Sequence, residues 1–118
     1  MSETNKDIEY LAQHLVCYPD FPKPGINFRD TMSLFRQPDC FEKIVNLFSN
    51  HIANLSADVI VGLEARGFIL GAAIAYKLKL PFVPIRKKGK LPGKTISYSY
   101  DLEYGQVSKW LSNNKIKF

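Results

Sequence analysis

The stretch Asp58–Ile85, DVIVGLEARGFILGAAIAYKLKLPFVPI, decides the fold. Asp58-Val59-Ile60-Val61 is a short apolar run with β-branched residues, Gly62 to Gly67 reads as a loop, and Phe68 to Leu80 has helix length. The helix is apolar almost all round and carries small residues at Gly71, Ala72, Ala73 and Ala75, as a helix packed close on a sheet does. Pro81 to Ile85 is a second apolar run. Strand, loop, helix and strand in so short a span make a βαβ unit, so the two strands are expected to be parallel and buried.

The loop GLEARGF, Gly62 to Phe68, sits where a strand's carboxyl end meets a helix's amino end. Ligands of open α/β sheets bind at that place. The helix start offers unpaired N–H groups and the positive end of a dipole, which suit phosphate. Arg66 adds a planar fork for phosphate oxygens, and Gly62 and Gly67 let the backbone approach closely. An ordinary βα turn with Glu64 and Arg66 solvated is the alternative reading. The glycine spacing is not a dinucleotide fingerprint, and no Gly-Lys-Ser/Thr phosphate loop follows.

Outward from this unit, RKKGKLPGK, Arg86 to Lys94, holds five of the sixteen basic residues and directly follows the second strand. It is therefore expected on the same rim as Gly62 to Gly67. The alternatives are a solvated basic loop or nonspecific nucleic-acid binding, but no aromatics interleave with these lysines as a single-strand stacking platform requires. Upstream, Ile8, Leu11, Ala12, Leu15 and Val16 recur at helical spacing and predict a helix over 3–17. Pro19, Pro22, Pro24 and Gly25 then forbid helix and predict an ordered loop from Tyr18 to Gly25. A second amphipathic helix is predicted over 39–54, capped by Asp39. Residues 95–101 alternate like a half-exposed strand, and Val107 to Phe118 shows no clear period.

With 118 residues, 46% of them hydrophobic and 23% charged, the chain has the profile of one globular domain. No apolar run reaches the roughly 18–20 residues of a membrane span, and the acidic start MSETNKDIEY does not read as a secretory signal. A cytoplasmic address and no membrane partner are expected. Cys17 and Cys40 read as reduced, partly buried thiols. His14 and His51 have no acidic or cysteine companions in sequence, so no metal site or catalytic base is assigned to them. The net charge of +5 is segregated: residues 1–60 hold 5 basic and 8 acidic side chains, and residues 61–118 hold 11 and 3. An anionic partner is expected for the second half.

FPKPGINFRD (Phe21 to Asp30), DVIVGLEARGFILGAAIAYKL (Asp58 to Leu78) and FVPIRKKGKLPGKTISYSYDLEYG (Phe82 to Gly105), in that order, resemble the adenine phosphoribosyltransferases. The resemblance runs from about Tyr10 to Gly105. It implies an incomplete type I phosphoribosyltransferase fold, α/β in class, with N-terminal helices, part of a parallel sheet (the βαβ unit) and a flap strand. It also implies a purine-salvage reaction: adenine attacks C1 of phosphoribosyl pyrophosphate, pyrophosphate leaves with Mg²⁺, and AMP forms. By similarity, Glu64, Ala65, Arg66 and Gly67 hold pyrophosphate, through their backbone and the Arg66 side chain, with a non-proline cis peptide between Glu64 and Ala65. Arg86, Lys87 and Lys90 add charge, partly across the interface of a homodimer. Phe28 stacks on adenine, and backbone groups around Asn27 and Arg29 read its edge. Residues 95–105 form a flap that brings Glu103 and Tyr104 near the reacting centre and excludes water.

The family pattern continues past the flap to a strand that ends in two adjacent acidic residues and a Thr-Gly-Gly-Thr type loop, which hold the ribose and its 5-phosphate. No two acidic residues are adjacent in the 118, and no Thr-Gly-Gly occurs. Residues 1–106 therefore read as the N-terminal part of a phosphoribosyltransferase domain and 107–118 as an unrelated tail. Gln106-Val107-Ser108 can be encoded by CAG-GTA-AGT, an exon end followed by an intron start, so read-through of an unspliced intron would explain that tail. The 118 residues alone are expected to be inactive. The alternative is a non-catalytic isoform that binds pyrophosphate or adenine weakly, or dimerises with the full-length enzyme.

Overall fold

The computed structural model describes residues 2–102 and 105–112. The chain divides into two compact units, Met1–His51 and Ile52–Phe118.

In the first unit, α1 (Glu3–His14) starts at Ser2, whose side chain accepts from the Asn5 N–H at 3.2 Å. The predicted helix over 3–17 ends earlier than expected, because β1 (Val16–Tyr18) pairs antiparallel with β2 (Phe28–Asp30) from Val16↔Asp30 to Tyr18↔Phe28. Pro19 disfavours the helical conformation for Tyr18, and a β-branched residue opens the strand. The proline-rich loop between the strands is ordered, as expected. Asp20 accepts from the Gly25 N–H at 2.9 Å, Gly25 takes a φ of +89° that favours glycine, and the Phe21 N–H donates to the Ile26 carbonyl at 3.0 Å. The Phe21–Pro22 bond is cis.

Next come the single-turn α2 (Met32–Phe35) and α3 (Pro38–Ala53), which matches the helix predicted over 39–54 to one residue. Proline suits the first helical position, where its missing N–H costs nothing. The buried Ser33 hydroxyl accepts from the Val16 N–H at 3.0 Å and donates to the Asp30 carbonyl at 2.6 Å, tying α2 to both strands. A polar cluster joins α1 to α3: Tyr10 donates to Asp39, and Lys43 meets Asp7 at 3.3 Å while lying over the Tyr10 ring.

The second unit contains the expected βαβ unit. β3 (Ile60–Leu63) runs parallel to β4 (Phe82–Lys87), from Ile60↔Phe82 to Leu63↔Ile85, and α4 (Arg66–Leu78) connects them. The small residues expected against the sheet have a specific cause. A Cβ on Gly62 would lie 2.5 Å from the Gly67 carbonyl oxygen and 2.7 Å from Phe82 Cε2, and one on Gly71 would lie 2.7 Å from the same ring atom. The Phe82 ring thus fills the space that two missing side chains leave between β3 and α4. α4 ends with Lys79 in the left-handed conformation, its N–H turned back to the Ala75 and Tyr76 carbonyls.

β5 (Thr95–Leu102) covers the strand predicted over 95–101, and β6 (Gly105–Ser112) extends regular structure beyond what the sequence pattern indicated. β6 pairs antiparallel with both β5 and β4, giving the sheet order β3-β4-β6-β5. β3 is an edge of this sheet among the described residues. The expectation that the βαβ strands are buried holds for one face of β3 only, where Ile60 and Gly62 are buried and Val61 and Leu63 are 43% and 49% exposed; β4 is half-buried from Phe82 to Arg86 and exposed at Lys87. Among the described residues, no helix is long and apolar enough to cross a membrane. Both cysteines are free, Cys17 exposed rather than partly buried and Cys40 fully enclosed.

Candidate functional site

The turn between β3 and α4 is tighter than the sequence suggested. Gly62 and Leu63 complete β3, and Arg66 and Gly67 already belong to α4, so only Glu64 and Ala65 lie between. The bond joining those two residues is cis, as the resemblance implied. Ala65 caps α4 without a side-chain hydrogen bond, and the helix has no acidic residue in its first turn. The first N–H groups of α4 thus emerge beside the exposed Arg66 side chain, a donor arrangement that favours an anion.

Two further cations reach this turn from the end of β4. The Glu64 N–H donates to the Ile85 carbonyl at 3.0 Å and continues the parallel ladder by one bond. That bond brings the Glu64 side chain to the next two residues of β4. One carboxylate oxygen accepts from Arg86 Nη2 at 3.2 Å, and the other accepts from the Lys87 backbone N–H at 2.8 Å. The Lys87 amide holds the Glu64 carboxyl below the usual carboxylate range; burial, next in size, opposes it, and the hydrogen bond and charge of Arg86 add to the lowering. Arg86 lies over the Phe68 ring at 5.8 Å, and its buried Nε has no hydrogen-bond partner. Lys87, Lys88 and Lys90 are exposed. The β4–β5 connection encloses a concavity of about 210 Å³ lined by Lys88, Gly89, Leu91 and Thr95.

The expected pyrophosphate residues therefore gather at one turn: Glu64 to Gly67 in sequence, with Arg86 and Lys87 tied to Glu64. Lys90 lies on the turn that follows, where its N–H donates to the Lys87 carbonyl at 3.3 Å. Sequence reasoning gave Glu64 a role only through its backbone and missed the bridge made by its carboxylate. The sequence carries no signal for it, because the bridge depends on the register that sets Leu63 beside Ile85.

In the first unit, Asn27 and Arg29 are exposed and flank Phe28, which opens β2. Phe28 is half-buried and meets Phe21 edge to face, with centroids 5.2 Å apart. Phe21 was not singled out from the sequence, although it sits in the quoted FPKPGINFRD segment. Glu103 and Tyr104 lie outside the described residues.

No family model matches the chain. It is 48% identical over 102 residues to the adenine phosphoribosyltransferase of Acidovorax sp. (strain JS42), which covers 85% of this chain and 55% of that one. Among solved structures, adenine phosphoribosyltransferase from Saccharomyces cerevisiae, in complex with adenine and an imino-altritol bisphosphate, superposes with a TM-score of 0.88 at 39% identity, covering 95% of this chain and 66% of that one. The enzyme from Thermoanaerobacter pseudethanolicus gives a TM-score of 0.84 at 38% identity, over 92% of this chain and 63% of that one. The chain thus spans somewhat more than half the length of the curated relatives it matches. Over that span its homologues are adenine phosphoribosyltransferases, and it carries their α/β fold in part.

Proposed function

We propose that this chain is part of an adenine phosphoribosyltransferase, residues 1–106 supplying its adenine- and pyrophosphate-binding groups; of the tail expected to be unrelated, residues 107–112 pair with β4 and β5 within β6. The reaction is purine salvage: adenine attacks C1 of phosphoribosyl pyrophosphate, forming the glycosidic bond of AMP as the C1–oxygen bond to pyrophosphate breaks. The leaving group takes the bonding electron pair, so its departure needs fixed positive charge and aligned donors.

In this reading the β3–α4 turn supplies these, and the observation that supports it is the start of α4 at Arg66, without a side-chain cap, next to a Glu64 bonded to Arg86 and to the Lys87 backbone N–H. In the proposal, the backbone from Glu64 to Gly67 and the Arg66 guanidinium hold pyrophosphate, with Arg86, Lys87 and Lys90 adding charge, partly across a homodimer interface. The Phe28 ring stacks on adenine while backbone groups near Asn27 and Arg29 read its edge, and Glu103 and Tyr104 approach the reacting centre. Mg²⁺ would arrive with the sugar donor. The residues of this turn do not fit a resident metal: no group of three or more His, Cys, Asp or Glu gathers among the described residues, and the Glu64 carboxylate already accepts from Arg86 and Lys87. A cytoplasmic location belongs to the same proposal.

Titration of the purified chain with inorganic pyrophosphate tests the reading. Binding is expected, and Arg66→Gln should weaken it about tenfold or more, since a hydrogen bond to a charged group is worth roughly 1.5–3 kcal/mol. Binding that Arg66→Gln leaves unchanged would overturn the assignment of the turn. With adenine and phosphoribosyl pyrophosphate, the 118 residues alone should turn over at background, because they contain no Thr-Gly-Gly and no adjacent acid pair.

A further inference from the structure

An anion-binding turn with a carboxylate at its centre poses a problem. Glu64 takes one donor of the Arg86 guanidinium and the Lys87 backbone N–H, and both belong to the rim that should receive an incoming phosphate. The simplest account makes Glu64 a structural tie between the turn and β4. Yet the turn is already fixed without that carboxylate. The Glu64 N–H is bonded to the Ile85 carbonyl, and Gly62, Gly67 and Phe82 close the space behind it. The carboxylate adds charge rather than shape.

We infer that the Glu64 carboxylate is a built-in stand-in for phosphate, a positioning residue that holds Arg86 and the Lys87 amide in place until an anionic phosphate group displaces it. The inference rests on the proposed anion site at this turn and adds how that site is kept when empty. A guanidinium fork accepts a carboxylate and a phosphate in the same geometry, so one can replace the other without moving the arginine. Arg86 is set for such an exchange. Its side chain is 34% exposed, its guanidinium carbon lies over the Phe68 ring, and Nε is buried without a partner, leaving a donor that Glu64 does not satisfy. The Glu64 side chain is 15% exposed, close enough to water to swing away. Without the carboxylate, the charge of Arg86 would stand unneutralised beside Lys87 and Lys88 and be open to an incoming anion.

The test is a double-mutant cycle on the full 118-residue chain, with inorganic pyrophosphate as the probe and calorimetry as the readout. Glu64→Gln keeps the shape and one acceptor but removes the competing charge. It should tighten pyrophosphate binding about fivefold at low salt, with the gain shrinking as salt rises. Arg86→Gln should cost more affinity in the Glu64→Gln background than in the parent, because the arginine is then no longer shared. A merely structural tie predicts the reverse: weaker binding in Glu64→Gln and a smaller Arg86 effect. Should Glu64→Gln fail to fold, Glu64→Ala, which also removes the competing charge, carries the same expectation of tighter binding. Binding that disappears with Arg66→Gln but does not strengthen on removing the Glu64 charge overturns this inference and leaves the anion site standing. No binding by any variant overturns both.

Discussion

The β1–β2 loop and the β3–α4 turn carry the two halves of the candidate chemistry, and they are built in opposite ways. In the first, side-chain oxygens hold the backbone. Asp20 accepts from the Gly25 N–H, Asp30 accepts from the Met32 N–H at 3.1 Å, and Ser33 bridges β1 and the end of β2. Those oxygens are engaged internally, and outward the loop offers the Phe21–Phe28 ring pair beside the exposed Asn27 and Arg29. In the second, side chains are missing where the backbone comes close, at Gly62 and Gly71 against Phe82, and what remains outward is N–H groups and cations. The contrast teaches that a loop's ligand follows from what its own folding leaves unspent. Satisfied oxygens leave an aromatic surface suited to a flat base, and uncapped amides with basic neighbours leave affinity for an anion.

Substitutions that attack each mode of construction should separate them. The largest effect is expected from Gly62→Ala. Its Cβ would meet the Gly67 carbonyl oxygen at 2.5 Å, a backbone atom that cannot step aside without shifting the start of α4. A loss of about 1–3 kcal/mol in urea unfolding is expected, as for overpacked cores. Pyrophosphate affinity should fall with it, because the same shift moves Arg66. Unchanged stability would show that the turn is not held by close packing. Ser33→Ala comes next. It leaves the Val16 N–H and the Asp30 carbonyl without their shared partner in a buried place, a cost of about 1–2 kcal/mol. Amide exchange should rise at Val16 and across β1 and β2, and α4 should not respond. Equal protection in the variant would mean that the strand pair does not depend on the serine.

Much of this was legible in the sequence, for a physical reason in each case. The βαβ unit could be read because a parallel strand needs an apolar run and a crossover helix needs small residues where it meets the sheet. The Tyr18 to Gly25 loop could be read because proline and glycine act through local dihedrals. The failures were matters of competition. Val16 fits the helical period of Ile8, Leu11, Ala12 and Leu15, but its amide is taken by Ser33, seventeen residues away, and the sequence shows no trace of that partner. β6 escaped notice because its pairing with β4 and β5 is long-range, and Gly105–Ser112 has too few apolar residues to declare a face. At the site, cations and glycines announced themselves by type. The Glu64 bridge did not, because it depends on the register that sets Leu63 beside Ile85.

The smallest expected effect is on pH dependence, and it returns to the difference between the units, because each holds one carboxylate below its ordinary range. In the first unit the Tyr10 hydroxyl does this to Asp39, and in the second the Lys87 amide and then Arg86 do it to Glu64. A carboxyl whose folded-state value is depressed contributes stability that is present above its unfolded value, about 3.9 for Asp and 4.3 for Glu, and lost as pH falls through the folded value. Acid should therefore weaken both units below about pH 4, for separate causes. Asp39→Asn keeps an acceptor for Tyr10 and should flatten the acid slope of α1 and α3 alone, read as amide exchange against pH. Glu64→Gln should flatten it for β3 and the start of α4 alone. Both pairs are open to solvent, so each effect should be small and should shrink with added salt. A single slope shared by both units and untouched by either substitution would place the acid sensitivity elsewhere. Two independent slopes would mean that the charge at the β3–α4 turn is set locally, by its own amide and arginine, and can be tuned there without disturbing the Phe21–Phe28 ring pair.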